Sequence, residues 1–406
     1  MESRFPAFAN VSIDWKGFTV DNIKISKNHI QALIALFISG SSLVTGGLTD
    51  AKQDTWLCIV AAYLLSIPLC WLFASLVKLP KDRSFFDGII QVCGKIPGRI
   101  LCFLYALNAV HLCGQNVRIL VEFIHDVNMT ETPLAAILAC VIATAIYVIR
   151  NRVYVLARLA RFALPLFILS VALTILLSLQ IMDFSNMLPI LHSDFQPMVS
   201  GTVEYFSLAF GELVFCLPLL GAIDHQETVL PVLLKGSLIG FLLLLAISLR
   251  NLLVLGYANG IYMFPSYTAV SIISIGDFFN RVEVLIGINL LLTGFFKVCV
   301  LLFSSCKSFS TALGLQDYEP LAGACGILVL SIALLIFCNT EEMFGWSKYF
   351  AAFSLPLQLF VPAILLIIGK IRCRMHPESK SKAPKPGPSR RKQTPPGRRA
   401  GESQTQ

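Results

Sequence analysis

Long apolar segments alternate with short polar connections along most of the chain. Each apolar segment has about 20 residues, the length that an α-helix needs to cross the hydrocarbon core of a bilayer. The pattern predicts an all-α membrane protein with ten spanning helices, which we number spans 1 to 10. Their predicted limits are 28–49, 55–77, 98–120, 133–150, 157–180, 200–223, 230–255, 283–307, 320–338 and 347–370.

Spans 1 and 6 carry small or charged residues at their centres. The residues concerned are Ser39, Gly40, Ser41 and Ser42 in span 1, and Phe210, Gly211 and Glu212 in span 6. Interrupted helices at corresponding places in two halves of a membrane chain are typical of transporter binding sites. We therefore expect both spans to be broken there. Freed amides at one break suit a carboxylate and freed carbonyls suit an ammonium, so a zwitterion such as an amino acid fits.

Span 3 has a polar stripe in which successive residues lie three or four apart, which is one face of a helix. Its members are Tyr105, Asn108, His111, Gln115, Arg118 and Glu122. In a bilayer such a face turns inward. It either holds the bundle together through hydrogen bonds between helices or lines a ligand- or water-filled space, which we favour. Arg118 and Glu122 are one helical turn apart and can form an ion pair.

Span 8 has a similar stripe at Asn289, Thr293 and Lys297. Lys297 lies deep in the span, where an ammonium needs a partner or loses its proton, and Glu212 is the candidate partner. The pair could be structural, an ion-linked switch or a direct contact with ligand. We expect a pocket between spans 1, 3, 6 and 8. The candidate ligand-binding residues are Gly40, Ser41, Ser42, Tyr105, Asn108, Phe210, Gly211 and Thr293, and the candidate buried charges are Glu212, Lys297, Arg118 and Glu122.

Composition agrees with a polytopic membrane protein, because the mean hydropathy is +0.73 and only 14% of residues are charged. The net charge of +8 comes from residues 371–406, whose Pro-rich sequence has no aromatic residue to suggest nucleic-acid binding. We interpret this segment as a disordered cytoplasmic tail beside anionic lipid. Lys and Arg concentrate in the segment before span 1, after spans 2 and 4, and after span 10, which predicts cytoplasmic N- and C-termini.

The spans divide the chain into five predicted regions. They are an N-terminal segment (1–27), a first five-helix repeat (28–180), an outer loop (181–199), a second five-helix repeat (200–370) and the basic tail (371–406). The sequence contains no P-loop, GxSxG or HExxH motif, and its 12 cysteines show no metal-binding spacing. We therefore predict no catalytic residue, no cofactor and no metal.

Several strings, in fixed order over about residues 24–372, resemble the spore germination B-subunit family of endospore germination permeases. They are Gly40-Ser41-Ser42-Leu43, Ala51-Lys52-Gln53-Asp54-Thr55-Trp56-Leu57, Val155-Leu156-Ala157-Arg158-Leu159-Ala160, Asn186-Met187-Leu188-Pro189-Ile190-Leu191, Phe210-Gly211-Glu212, and Ile272-Ile273-Ser274-Ile275-Gly276-Asp277-Phe278 followed by Arg281-Val282-Glu283. That family is similar to amino acid–polyamine–organocation transporters, so the resemblance implies a LeuT-type 5+5 inverted repeat with helices 1 and 6 broken.

The resemblance also implies a subunit of a nutrient germinant receptor in the inner membrane of a bacterial spore. Its partners would be a germinant receptor A subunit, a lipoprotein C subunit and a small germinant, either an amino acid or a sugar. Two functions stay open. One is a ligand-sensing receptor subunit, which we favour, and the other is an ion-coupled secondary transporter of amino acids. Both functions use one fold, so fold alone does not separate them.

Overall fold

The computed structural model describes residues 25–45, 49–78, 85–151, 153–221, 223, 228–272 and 283–375. Helices occupy the positions of all ten predicted spans. Their bounds are Lys27–Thr45, Thr55–Val77, Lys95–Asn128, Leu134–Arg150, Val153–Ser178, Phe195–Leu220, Val229–Leu255, Glu283–Leu313 and Leu321–Leu335, and span 10 comprises Ser347–Leu355, Pro356–Phe360 and Val361–Met375. Seven of them are long and apolar enough to cross a membrane. The prediction of an all-α membrane protein is confirmed.

Shorter helical segments connect the spans. They are Lys52–Asp54, Phe85–Cys93, Phe184–Met187, Gly256–Gly260, Pro265–Ser271 and Thr340–Gly345. The Phe85–Cys93 helix packs the rings of Phe85 and Phe86 against Tyr105 of span 3, with ring centroids 6.0 and 6.1 Å apart. This contact fixes the short helix against span 3. The basic tail after Met375 and the segment before Ile25 lie outside the described residues.

Spans 1, 6 and 8 form the centre of the bundle. Residues 32–39 of span 1 are each at most 1% exposed, and the most apolar windows of spans 6 and 8 are 78% and 61% buried. The corresponding windows of spans 5 and 10 are only 33% buried. A helix that is buried on every side belongs to the core. Any mid-membrane site held by spans 1, 6 and 8 is therefore enclosed by protein.

Span 1 is α-helical from Lys27 to Thr45, so the predicted break at residues 39–42 is wrong. The hydroxyl of Ser39 donates to the carbonyl of Ala35, 3.0 Å away in the preceding turn, which is a common way for a helix to accommodate serine. Gly40 serves close packing, because a Cβ there would lie 2.9 Å from both Cβ of Lys297 and the carbonyl oxygen of Thr293. Small residues here let spans 1 and 8 approach closely. Ser41 and Ser42 are in the helix, and residues 46–48 lie outside the described part.

Span 6 changes its helical form at the predicted place. An α-helix (Phe195–Tyr205) is followed by a π turn at Phe206–Phe210 and a 3-10 segment at Gly211–Cys216 before the α-form returns at Leu217–Leu220. The interruption is thus a change of winding and not an extended gap. Such changes re-aim backbone carbonyls and side chains, and π turns in α-helices occur often at functional sites.

A buried carboxylate holds the connection between spans 5 and 6 against the start of span 2. Asp54 is 0% exposed and accepts hydrogen bonds from the backbone N–H groups of Leu191 (2.8 Å) and Ser193 (2.9 Å). The hydroxyl of Ser193 in turn donates to the carbonyl of Ala51 at 2.7 Å. Two charge-assisted bonds from one carboxylate make this a firm anchor.

We expect Asp54→Asn to lower the free energy of unfolding by about 1–3 kcal/mol, because the amide N–H₂ then faces a backbone donor that has lost its acceptor. The matched control is Asp194→Asn, which changes an exposed carboxylate of the same connection that makes no capping bond. Thermal unfolding of the purified chain measures both. Equal melting temperatures for the two variants would contradict the anchoring role.

Candidate functional site

An ion pair joins span 6 to span 8 at the centre of the bundle. Nζ of Lys297 lies 2.7 Å from Oε2 of Glu212, and each side chain is 1% exposed. Nζ also donates to the carbonyl of Leu208 in the π turn at 3.5 Å and lies 5.3 Å from the centroid of the Phe37 ring of span 1. The ammonium is therefore held by a carboxylate, a backbone carbonyl and an aromatic face, each of which stabilises a cation.

In this arrangement the chain's own ammonium lies at the irregular part of span 6. The π turn supplies a carbonyl, as expected of a broken helix, and Lys297 from span 8 takes it. Because Lys297 and Glu212 neutralise one another, the described part of this centre carries no net charge. A ligand ammonium would have to displace Lys297 to use the same groups.

The second predicted ion pair connects span 3 with the end of span 9. Nε and Nη2 of Arg118 lie 2.7 and 2.6 Å from Oε1 of Glu122, and Nη1 donates to the carbonyl of Ala333 at 3.1 Å. Ten residues of helix, about 15 Å, separate Arg118 from Asn108. The structure thus gives Arg118 and Glu122 a bridging position between spans, apart from the mid-span polar residues.

Several predicted ligand-binding side chains already have protein partners. The hydroxyl of Thr293 donates to the carbonyl of Asn289 in its own helix at 2.8 Å. The hydroxyl of Tyr105 donates to the carbonyl of Leu357 in span 10, also at 2.8 Å. The Phe210 ring is 0% exposed and lies 5.9 Å from the Tyr63 ring. These contacts do not test a binding role, which stays a prediction for these residues and for Gly40, Ser41 and Ser42.

Asn108 and Gly211 have different surroundings. Asn108 is 4% exposed, and neither its Oδ1 nor its Nδ2 has a hydrogen-bond partner in the described part of the chain. Gly211 lies directly against the side chain of Gln358 of span 10, so that any Cβ at this position would collide with the Gln358 amide. The structure therefore brings span 10 to the interrupted part of span 6.

Sequence reasoning missed the contribution of span 10. Its segment Pro356–Phe360 is a second π turn, and it packs against the 3-10 segment of span 6. Gln358 is 0% exposed, and its two amide atoms have no partner among the described residues. The available signal was the polar pair of Ser354 and Gln358, which lie one helical turn apart around Pro356 in an otherwise apolar span.

Comparison with known proteins places this geometry in a family. A model of the spore germination protein family matches residues 24–342. The chain belongs to that family. It is 22% identical over 373 residues to spore germination protein KB of Bacillus subtilis (strain 168), covering 90% of this chain and 100% of that protein. It is 23% identical to the putative spore germination protein YfkT of the same strain, over 80% of this chain and 89% of that protein.

Solved transporters share the fold of this spore germination protein. Mhp1, a nucleobase-cation-symport-1 family transporter, aligns with a TM-score of 0.65 at 11% identity, covering 84% of this chain and 78% of Mhp1. A manganese transporter of Eremococcus coleocola aligns with a TM-score of 0.61 at 13% identity, covering 87% and 86%. Identities this low establish the fold only. The expected LeuT-type arrangement is confirmed, and the neighbours are transporters and not enzymes.

Proposed function

We propose that this spore germination protein is the nutrient-sensing subunit of a germinant receptor in the inner membrane of the spore. It binds a small germinant, an amino acid or a sugar, near the bilayer midplane and signals to an A subunit and a lipoprotein C subunit. Its N- and C-termini are cytoplasmic. The observation that carries the proposal is the joint irregularity of spans 6 and 10 around buried polar groups without partners, in a chain of this family.

The position of Lys297 supports sensing over ion-coupled transport. An ion-coupled transporter binds and releases its coupling ion in each cycle, and discontinuous helices supply the carbonyls that coordinate it. Here the Leu208 carbonyl and the Glu212 carboxylate hold an ammonium that is covalently part of the chain. The alternative, a secondary transporter of amino acids, keeps its support from the transporter neighbours, which share only the fold.

Germination of spores that lack the gene tests the proposal. We expect the loss of the response to at least one nutrient of a panel of amino acids and sugars, while responses to other nutrients continue. Restoring the gene should restore the response. An unchanged response to the whole panel would contradict a sensing role. Accumulation of a labelled nutrient in vesicles that contain only this chain, driven by a proton or sodium gradient, would instead support the transporter.

Purification from spore membranes tests the proposed partners. We expect an affinity-tagged chain to bring down an A subunit and a lipoprotein C subunit from detergent extracts of spore inner membrane. A tagged membrane protein from another complex is the control. Recovery of the chain alone, under conditions that keep its own helices folded, would contradict the proposed assembly.

A further inference from the structure

A group of polar side chains, three buried and one half-buried, lies where spans 3 and 10 face one another, and we call it the span 3–10 cluster. Its members are Asn108, His111, Ser354 and Gln358. Two contacts show that the spans run side by side in opposite directions. The Tyr105 hydroxyl is 2.8 Å from the Leu357 carbonyl, and the rings of His111 and Phe353 have centroids 5.1 Å apart. Asn108 lies between Tyr105 and His111 and is therefore level with the Ser354–Leu357 stretch.

The cluster has an unusual number of polar atoms without hydrogen bonds. Within the described residues, Oδ1 and Nδ2 of Asn108, Oε1 and Nε2 of Gln358, Oγ of Ser354 and Nε2 of His111 have no partner. Asn108 is 4% exposed, and Ser354 and Gln358 are 0% exposed. Nearly all buried polar atoms in native proteins are satisfied. Six such atoms on two facing spans are expected to be completed by a bound molecule, either ordered water or a ligand.

The cluster also adjoins the irregular part of span 6. Gln358 lies in the π turn of span 10 and against Gly211 at the start of the 3-10 segment. The Tyr105 ring, one turn from Asn108, is 6.4 Å from the Phe215 ring of that segment. A molecule bound by Gln358 would therefore lie beside the part of span 6 where the helix changes its winding. This position gives ligand binding a physical route to a conformational change.

The chemistry of the cluster selects the ligand. Asparagine and glutamine amides and a serine hydroxyl each offer both donors and acceptors but no charge. The nearby charges of Glu212 and Lys297 are already paired with one another. A zwitterion brought here would leave a carboxylate and an ammonium without counter-ions in the membrane interior, which is costly. An uncharged molecule with several hydroxyl groups offers donors and acceptors to these amides and to the serine hydroxyl without that cost.

We propose that Asn108, Ser354 and Gln358 form a binding site between spans 3, 6 and 10 for an uncharged polyhydroxylated germinant of the sugar or polyol class. This inference rests on the proposed sensing function and names its ligand chemistry. It moves the site from the predicted wall of spans 1 and 8 to span 10. The amides of Asn108 and Gln358 form hydrogen bonds with hydroxyl groups of the ligand. Gly211 leaves the space that the Gln358 side chain requires.

Thermal unfolding of the purified full-length chain in lipid nanodiscs tests the site, with glucose, fructose and myo-inositol as uncharged probes and L-alanine as the zwitterionic probe. We expect at least one uncharged probe to raise the melting temperature in a saturable manner and L-alanine to leave it unchanged. Asn108→Leu and Gln358→Leu should abolish this shift. Their ligand-free melting temperatures should equal or exceed that of the unaltered chain, because each removes buried polar atoms that lack partners.

Two further variants separate binding from folding. Asn116→Leu is the matched control, since Asn116 is on the same span but its amide donates to the Leu112 carbonyl of its own helix, and the ligand shift should survive. Ser354→Ala removes a single hydroxyl and should raise the Kd about fivefold without loss of fold. An unchanged Kd in Ser354→Ala together with an unchanged shift in Gln358→Leu would overturn the proposal.

The remaining outcomes also test the proposed site. If no uncharged probe shifts the unaltered chain, or if only L-alanine does, the site is not a polyol site. If ordered water satisfies the cluster, the leucine variants unfold at lower temperature and no probe stabilises the chain, which overturns the proposal. Spore germination is a separate readout. Binding without any effect of gene deletion contradicts the proposed function alone, whereas a nutrient response that depends on the gene but survives Asn108→Leu and Gln358→Leu contradicts only the site.

Discussion

Lys297→Met is expected to lower the free energy of unfolding by about 3–5 kcal/mol, because it leaves the buried carboxylate of Glu212 without a counter-charge. Glu212→Gln should have a similar effect, since it removes the counter-charge of an ammonium that also contacts the Leu208 carbonyl and the Phe37 ring. The double variant has no unpaired charge and should be milder than the sum of the two. Thermal unfolding and the amount of chain in the membrane measure all three.

An interaction energy above about 0.5 kcal/mol in the double-mutant cycle would show that Lys297 and Glu212 stabilise one another. Strictly additive effects would show that they do not. The matched control is Lys370→Met. Lys370 is the exposed lysine near the end of span 10, with Nζ 5.0 Å from the centroid of the Trp71 ring. Exposed charges contribute about 0–1 kcal/mol, so this variant should be nearly neutral. If Lys370→Met lowered the free energy of unfolding as much as Lys297→Met does, the burial of Lys297 would not explain the effect.

The sequence was sufficient to place the spanning helices and their buried charged residues, but not to identify which residues contact one another. A carboxylate and a lysine at membrane depth are costly, so Glu212 and Lys297 stood out in the one-dimensional pattern. The sequence also allowed Lys297 to snorkel toward water along its flexible stem. The structure shows Nζ held 2.7 Å from Glu212, with 1% of the side chain exposed. Whether Lys297 pairs with Glu212 or reaches water depends on how spans 6 and 8 pack, and the local sequence pattern does not determine this packing.

The small residues of span 1 show a second limit. A glycine–serine cluster permits a break, but it equally permits two helices to pack closely, and both have the same sequence signature. The neighbour decides between them, because Cβ of Lys297 and the carbonyl of Thr293 occupy the space beside Gly40. In span 6 the carboxylate of Glu212 added independent information, and the helix is irregular at the place where a break was predicted, through a change of winding.

Span 10 shows a third limit. Its polar residues Ser354 and Gln358 are few and uncharged, so they hardly disturb an apolar pattern, and a proline in a membrane helix is common. Their importance appears only when Gly211, more than 140 positions earlier in the chain, is found against Gln358. A site built from spans that are distant in the chain depends on such long-range contacts. Polar stripes within one helix are thus readable from sequence, whereas the face that each stripe meets is not.

Gly40→Leu is expected to lower the free energy of unfolding by about 3 kcal/mol or more, and Gly40→Ala by about 1–3 kcal/mol, because both overpack the contact between spans 1 and 8. Even the alanine Cβ would lie 2.9 Å from Cβ of Lys297 and from the backbone oxygen of Thr293. A backbone oxygen moves only with its helix. The variants should therefore also displace Lys297 from Glu212, which lowers the free energy of unfolding further.

The matched control is Gly287→Ala in span 8, where the new Cβ would meet only the Phe123 ring, at an ordinary 3.7 Å. Alanine is the better helix former by about 1 kcal/mol, so this variant should be as stable as the unaltered chain or more so. Membrane abundance and melting temperature measure each variant, and spore germination measures function. If Gly40 instead lines a ligand site, Gly40→Leu will keep normal abundance and stability while the nutrient response is lost. Reduced abundance, with Gly287→Ala unaffected, establishes that Gly40 is a packing residue between spans 1 and 8.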